Sequence, residues 1–130
     1  MTGERPSLAA WLDEAKREDT AKNCGMYLFH NGVVRETARA QVREGRPDAG
    51  RVKAMTVTVD RERVGQAILK TRRADGIFHV RVWINEGTLA VGDDIMLVLI
   101  GGDTRPRVIS ALESLVDALK TDCIRETEHL

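Results

Sequence analysis

The stretch DDIMLVLIGGDT, residues 93–104, gives the strongest fold signal in the sequence. All residues from Ile95 to Ile100 are apolar, so a strand formed by them would be apolar on both faces. This is typical of a central strand that is buried on both faces. Pro106 follows near the first turn of a helix, whose apolar positions between Val108 and Leu119 form one stripe. The sequence therefore predicts a buried strand followed by a helix that packs by one face.

The rest of the chain alternates between helical and strand patterns. Apolar residues at i, i+3, i+4 and i+7 predict helices from Ser7 to about Glu18 and again after Asp60. Runs of β-forming residues predict strands at 24–35, 52–59 and 77–84. The resulting order α, β, β, α, β, β, α indicates the α+β class, with residues 1–130 forming one layered domain in which helices pack on a mostly antiparallel sheet.

One segment lacks any sustained apolar period. Residues 37–50 contain Gly45, Pro47 and Gly50 among charged side chains. Glycine and proline interrupt regular structure, and few apolar residues are present to anchor the chain. We predict a mobile surface loop over residues 37–50.

The composition excludes several classes of protein. The 130 residues include 20 basic and 20 acidic side chains, so the formal net charge is zero, which argues against general binding to nucleic acid or to a membrane surface. No run approaches the roughly 18 apolar residues that a membrane span requires, and the first residues lack the apolar stretch of a signal peptide. We expect a cytoplasmic protein with neither nucleic acid nor membrane among its partners.

Positive charge is nevertheless concentrated in parts of the chain. Residues 35–53 carry six basic and three acidic side chains, and residues 61–81 carry six and two, whereas four basic and nine acidic side chains follow from residue 82 onward. Local potential, and not net charge, attracts a small ligand. A neutral protein can therefore still present a basic pocket to a small anion.

Common signatures of enzymes and of metal sites are absent from the sequence. It has no GxSxG, Walker A, GxGxxG or HExxH motif. Cys24 and Cys123 lie far apart without CxxC spacing, and His30, His79 and His129 are isolated. We predict neither a metal nor a cofactor, and we assign these cysteines and histidines structural or surface roles.

Four cations stand at the ends of predicted elements. Arg35 closes the first strand, Arg105 and Arg107 open the last helix, and Lys120 closes that helix. Free backbone N–H groups and the helix dipole favour an anion near Arg105, which makes it a candidate for binding a phosphate or a carboxylate. Lys120 also fits a second interpretation, a cation that stabilises a helix C-terminus, and spacing alone does not separate the two.

Three stretches of the chain carry a family resemblance. Residues 25–35, GMYLFHNGVVR, are similar to a pattern of Gly, a β run and Phe-x-Gly-x-Val-Arg, with one extra residue before Gly32. Residues 87–93, GTLAVGD, are similar to a Gly-x-Leu-x-x-Gly-Asp turn, and residues 95–120 are similar to a buried strand, an arginine turn and a final helix ending in Asp-x-x-Lys. These patterns resemble the MoaE family, the large, catalytic subunit of molybdopterin synthase, and imply its α/β hammerhead type of fold.

The resemblance also implies an activity. Such proteins transfer sulfur from the thiocarboxylated Gly-Gly tail of a small ubiquitin-like subunit to a cyclic pyranopterin phosphate, and they form homodimers. Arg35 and Arg105 match arginines that would bind the pterin phosphate, and Lys120 matches the catalytic lysine that meets the thiocarboxylate. Fixed positive charges stabilise anionic groups of this kind in a pocket shielded from water.

The chain departs from the family pattern at several positions. Glu126 stands where the family has a lysine, and Ile84 and Thr104 stand where it has histidines. An anion near a thiocarboxylate and a phosphate opposes their binding, and we therefore expect reduced activity, with Arg125 as a candidate for compensating the lost charge. The alternative is a non-catalytic paralogue that binds a pterin, another anionic metabolite or a carrier-protein tail.

Overall fold

The computed structural model describes residues 4–39, 45 and 50–130. Within these residues the chain forms three α-helices and six β-strands. The helices are α1 (Leu8–Lys16), α2 (Arg61–Arg72) and α3 (Arg105–Ala118). The strands are β1 (Met26–Val33), β2 (Ala54–Val59), β3 (Ile77–Ile84), β4 (Gly87–Ala90), β5 (Asp94–Gly102) and β6 (Ile124–His129).

The first sheet has the strand order β1-β5-β3, and both pairings are antiparallel. The central strand β5 is buried along its apolar run, with Met96 to Ile100 at 0% exposure. The predicted central strand is therefore confirmed. Successive side chains of β5 point to opposite faces of the sheet, so the strand contributes to two separate hydrophobic cores. The main core contains Met96, Val98 and Ile100, and the core beneath α1 contains Leu97 and Leu99.

Helices cover both faces of this sheet. On one face, Val108 and Leu115 of α3 pack in the main core, and Val64 of α2 is buried in the same core. On the other face, Trp11 and Ala15 of α1 pack against the β5 side chains. Ser7 caps α1 by accepting a hydrogen bond from the Ala10 N–H at 3.2 Å, as its position before the apolar stripe indicates.

A second antiparallel sheet has the order β4-β2-β6. The predicted α+β class with antiparallel strands and packed helices is confirmed, but the strands divide into two sheets instead of one. The strands β4 and β6 were not predicted. Strand β4 has only four residues, and the half-buried positions in β6 include Glu126 and Glu128, so neither shows an apolar alternation.

The predicted mobile loop over 37–50 falls mostly on residues 40–44 and 46–49, which lie outside the described residues. At its two ends, Thr37 and Arg51 form an isolated antiparallel bridge, and Ala38 is 2% exposed. Its mobility remains a prediction. Among the described residues, no helix has the length and apolar character needed to cross a membrane.

Candidate functional site

Lys120 lies in a short turn between α3 and β6. The chain passes from α3 into a π-helical turn, Leu119–Cys123, and then directly into β6. Leu119 and Cys123 are 0% and 4% exposed, so both ends of the turn are anchored in the core. Lys120 between them is exposed, and its Nζ lies beside β6, 3.7 Å from Glu126 Oε1.

Arg35 follows the end of β1 and is positioned by its neighbours. The N–H of Val34 donates to the Asp93 carbonyl at 2.9 Å, and the Val34 side chain is 1% exposed. Arg35 itself is exposed, and its Nε donates to the Thr37 carbonyl at 3.0 Å. The arginine is thus fixed at the start of the segment that follows β1.

Arg35 and Lys120 line the same cavity, as the sequence argument requires of two cations that act together. The cavity has a volume of about 170 Å³. Its lining combines three cations, two carboxylates, a histidine and an apolar floor: Arg35, Arg39, Lys120, Glu126, Glu128, His30, Gly32, Val33, Met55, Ile95 and Met96. A second cavity of about 310 Å³ shares Arg39, Lys120 and Glu126 with the first.

Arg105 is not part of either cavity lining. It is the first residue of α3, whereas Lys120 follows the end of that helix. A helix of 14 residues is about 20 Å long, so the two cations stand at opposite ends of the element. A single chain therefore does not bring Arg105 to the cavity that contains Arg35 and Lys120.

Arg125, the candidate for compensating charge, lines the second cavity only. It is exposed, whereas the side chains of Ile124 and Glu126 on either side of it turn inward. The alternation of a strand places neighbouring side chains on opposite faces. Arg125 therefore approaches the shared residues from the outer side of β6.

Glu126 is a charged group of the site whose side chain is almost completely buried. Its side chain is 6% exposed, and its Oε1 accepts a hydrogen bond from Arg39 Nη2 at 3.1 Å. The same oxygen lies 3.7 Å from Lys120 Nζ. The carboxylate therefore neutralises part of the positive charge that the sequence assigned to this pocket.

Arg39 is a site residue that the sequence analysis missed. Besides its bond to Glu126, its backbone N–H donates to both carboxylate oxygens of Glu128, at 3.0 and 3.2 Å. The period-two spacing of Glu126 and Glu128 after Ile124 was the available signal, because it places both carboxylates on one face of a strand. It did not indicate which cation they meet.

His30 also enters the cavity, although we assigned it a structural or surface role. Burial and, secondarily, the positive charge of Lys120 lower the pKa of His30, so the imidazole is neutral at pH 7. Its Nε2 is buried and has no hydrogen-bond partner within the described part of the chain. A neutral ring nitrogen beside cations can accept or donate one hydrogen bond to a ligand.

The cavity can bind an anion and also offers acceptors for N–H groups. With Arg35, Arg39 and Lys120 positive and Glu126 and Glu128 negative, the ionised lining has a net charge of +1. Within residues 4–39, 45 and 50–130, no three His, Cys, Asp or Glu side chains group as metal ligands would.

Comparison with known proteins identifies relatives of the chain. The family model described as MoaE protein matches residues 2–122. No curated protein matches the sequence. The solved structures supply the remaining comparisons, all at low sequence identity.

Three similar structures come from different bacteria. Molybdopterin synthase from Staphylococcus aureus has 14% identity and a TM-score of 0.75, with 98% of this chain and 88% of that chain covered. The molybdopterin biosynthesis MoaE protein from Burkholderia ambifaria has 19% identity and a TM-score of 0.72, with 98% and 81% covered. A complex of subunits 1 and 2 of molybdopterin-converting factor from Helicobacter pylori has 17% identity and a TM-score of 0.66, with 93% and 74% covered. At these identities the structures establish the fold.

Proposed function

The chain belongs to the MoaE family, and on that premise we propose that it acts in molybdenum cofactor biosynthesis as the large subunit of a molybdopterin synthase. In this role it transfers sulfur from a thiocarboxylated small subunit to a pyranopterin phosphate. The observation that carries the proposal is the shared cavity of Arg35 and Lys120, two positions matched to the family pattern and separated by most of the chain.

Each cation has a role that follows from its position. The Lys120 ammonium, at the junction of the two cavities, meets the thiocarboxylate and stabilises the negative charge that develops as sulfur leaves the carrier. Arg35, which lines the first cavity and not the second, binds the substrate phosphate, with Arg39 as a second guanidinium. Arg125 supplies further positive charge at the second cavity.

The partner is a small ubiquitin-like sulfur carrier whose Gly-Gly tail enters the site. The Helicobacter pylori structure is a complex of two subunits of molybdopterin-converting factor, which supports a two-subunit arrangement for this fold. A cytoplasmic homodimer belongs to the same proposal. Since Arg105 stands at the far end of α3, its role in phosphate binding requires a second copy of the chain.

Glu126 is expected to make the reaction slow. Its buried carboxylate accepts from Arg39 and lies close to Lys120, so it competes with substrate anions for the same cations. The same observation favours the second candidate function, a non-catalytic paralogue that binds a pterin, another anionic metabolite or a carrier tail. The two functions differ in whether sulfur is transferred.

Reconstitution distinguishes them. The protein is mixed with the pyranopterin monophosphate precursor and a thiocarboxylated carrier, and molybdopterin is assayed over time. We expect slow product formation that Lys120→Ala abolishes, while Lys22→Ala, which removes an exposed lysine in the turn 19–23, has no effect. Binding of the precursor without any product would overturn sulfur transfer and establish the paralogue. Product formation that persists in Lys120→Ala would overturn the catalytic role of that lysine.

A further inference from the structure

Glu126 has one carboxylate oxygen whose hydrogen-bonding capacity is unused. Oε1 accepts from Arg39, whereas Oε2 is buried and has no hydrogen-bond partner among the residues that the structure describes. The side chain is 6% exposed and lines both cavities. Buried carboxylate oxygens are ordinarily hydrogen-bonded, because an unpaired one has lost its water without a replacement.

A carboxylate oxygen accepts hydrogen bonds and donates none when it is ionised. The group that completes Glu126 must therefore be an N–H or O–H donor on whatever occupies the cavity. Inorganic phosphate at pH 7 has few donors to offer and would be repelled by the carboxylate. Glu126 thus disfavours a simple anion and favours a ligand that joins an anionic group to an N–H donor.

The surrounding charges are arranged for such a ligand. Arg35 and Lys120 line the same cavity as Glu126, so cationic and acceptor groups face one small volume of about 170 Å³. His30 contributes a second buried polar atom, its Nε2, that has no hydrogen-bond partner within the described residues. The cations satisfy the anionic end of a ligand, while Glu126 is left to bind its donor end.

We propose that Glu126 is a specificity-determining residue whose Oε2 accepts a hydrogen bond from the amino-substituted edge of a pterin ring, while Arg35 and the neighbouring cations bind its anionic group. This inference rests on the proposed function, because it takes the pterin phosphate as the ligand. A 2-amino-4-oxopteridine presents an exocyclic N–H₂ beside a ring N–H, which is a donor edge suited to a carboxylate. It explains why an acidic side chain is compatible with ligand binding at this position.

The test compares two probes that differ at one group. Pterin-6-carboxylate has the exocyclic amino group, whereas lumazine-6-carboxylate has a carbonyl oxygen there and would place two acceptors against each other. Because a buried site that hydrogen-bonds a donor rejects an analogue lacking it, we expect the wild-type protein to bind the pterin at least about tenfold more tightly. Titration of the probes' own fluorescence measures both affinities.

The variant Glu126→Gln tests which residue is responsible. It removes the charge and leaves an amide that can donate as well as accept, so we expect the affinity ratio to fall to about twofold or less. Binding of inorganic phosphate should instead become several-fold tighter, since a repelling carboxylate is gone. A general loss of structure would instead weaken the binding of both the pterin and inorganic phosphate. The control Glu113→Gln removes the same charge from an exposed position of α3 and should change neither measurement.

Two outcomes would overturn the inference: equal affinity of the wild-type protein for the two probes, or a tenfold ratio that survives in Glu126→Gln. The first is measurable without any variant, so the test does not depend on the folding of Glu126→Gln. The molybdopterin assay separates this inference from the proposed function. Product formation with equal probe affinities would overturn the role of Glu126 alone, and pterin preference without product would overturn sulfur transfer alone.

Discussion

Arg39 donates a hydrogen bond of 3.1 Å from its Nη2 to Oε1 of Glu126, which lies 87 positions away in the sequence. The Glu126 side chain is 6% exposed and that of Arg39 is 41% exposed, so the bond closes over the carboxylate from the solvent side. The Arg39 backbone is fixed to the same strand through Glu128. The segment after β1 and the final strand are thereby joined beside Lys120.

The first prediction concerns Arg39. Replacing it with alanine removes a charged donor from the Glu126 carboxylate and a cation from the cavity. Hydrogen bonds to charged groups contribute about 1.5–3 kcal/mol, so we expect phosphate to bind at least about tenfold more weakly and the melting temperature to fall. Isothermal titration with inorganic phosphate and a thermal melt measure the two effects.

The matched control for this change is Arg73→Ala. Arg73 is exposed at the end of α2, and it lines neither of the two site cavities. The variant Arg73→Ala should therefore bind phosphate with wild-type affinity. Unaltered phosphate affinity in Arg39→Ala would show that the cavity cations do not bind the anion together.

The second prediction is a pH dependence that comes from His30. Burial and the charge of Lys120 lower the pKa of His30 in the folded protein, whereas an unfolded histidine titrates near pH 6.5. Between these two values the unfolded chain binds more protons, so acidification favours unfolding. The stability that the neutral His30 imidazole contributes to the folded protein is fully present above about pH 6.5, and it is lost as the pH falls through the lowered pKa of His30.

Thermal melts between about pH 7.5 and pH 5 test this linkage. The variant His30→Gln lacks the titrating ring, so its melting temperature should fall less on acidification than that of the wild type. Identical slopes for wild type and His30→Gln would refute the assignment.

The elements with a strong apolar pattern were predictable from the sequence. The all-apolar run in β5 and the apolar stripe of α3 are each visible within a single element, because the buried side chains follow the geometry of that element. Strand β6 was not predictable in this way, because its inward positions hold Glu126 and Glu128 instead of apolar residues. Those carboxylates face the cavity, where polar groups are needed.

The candidate site could be predicted only in part for a related reason. Arg35 and Lys120 were identified through patterns that are local in the sequence, and the structure places both in one cavity. Arg39 was missed because its role depends on contacts with Glu126 and Glu128, and no periodicity reports pairing over such a separation. His30 was set aside because a single histidine has no spacing signature.

The third prediction tests the packing of the first sheet at Gly101. A Cβ atom at this position would lie 2.6 Å from the Tyr27 ring and 3.3 Å from the His79 Cβ. Tyr27 and His79 are its partners on the two neighbouring strands, so both sides are closed. Gly101→Ala should lower the free energy of unfolding by about 2 kcal/mol in urea denaturation, as overpacked sites do.

Gly65→Ala provides a control of opposite sign. Gly65 lies inside α2, and a Cβ atom there would meet nothing within 4 Å. Alanine is favoured over glycine in a helix by about 0.8–1 kcal/mol, so this variant should be more stable than the wild type. Equal stability of the wild type and Gly101→Ala would show that Tyr27 moves aside without cost.

The last prediction decides whether two chains share the phosphate site. Arg35 and Arg105 are both assigned to the phosphate, yet Arg105 begins α3 and is outside the cavity that contains Arg35. If Arg105 is supplied by a second protomer, Arg35→Ala and Arg105→Ala should each bind phosphate weakly as pure dimers. In a mixed dimer, one of the two sites loses both arginines and the other keeps both. Random mixing should therefore restore roughly a quarter of the wild-type binding sites.

Titration of the refolded mixture with phosphate measures that fraction, and sedimentation establishes the dimer. As a control, Arg35→Ala mixed with the double variant Arg35→Ala/Arg105→Ala should restore no binding sites. Wild-type affinity in pure Arg105→Ala would remove Arg105 from the site, and two defective variants that fail to complement each other would place the defect within one chain.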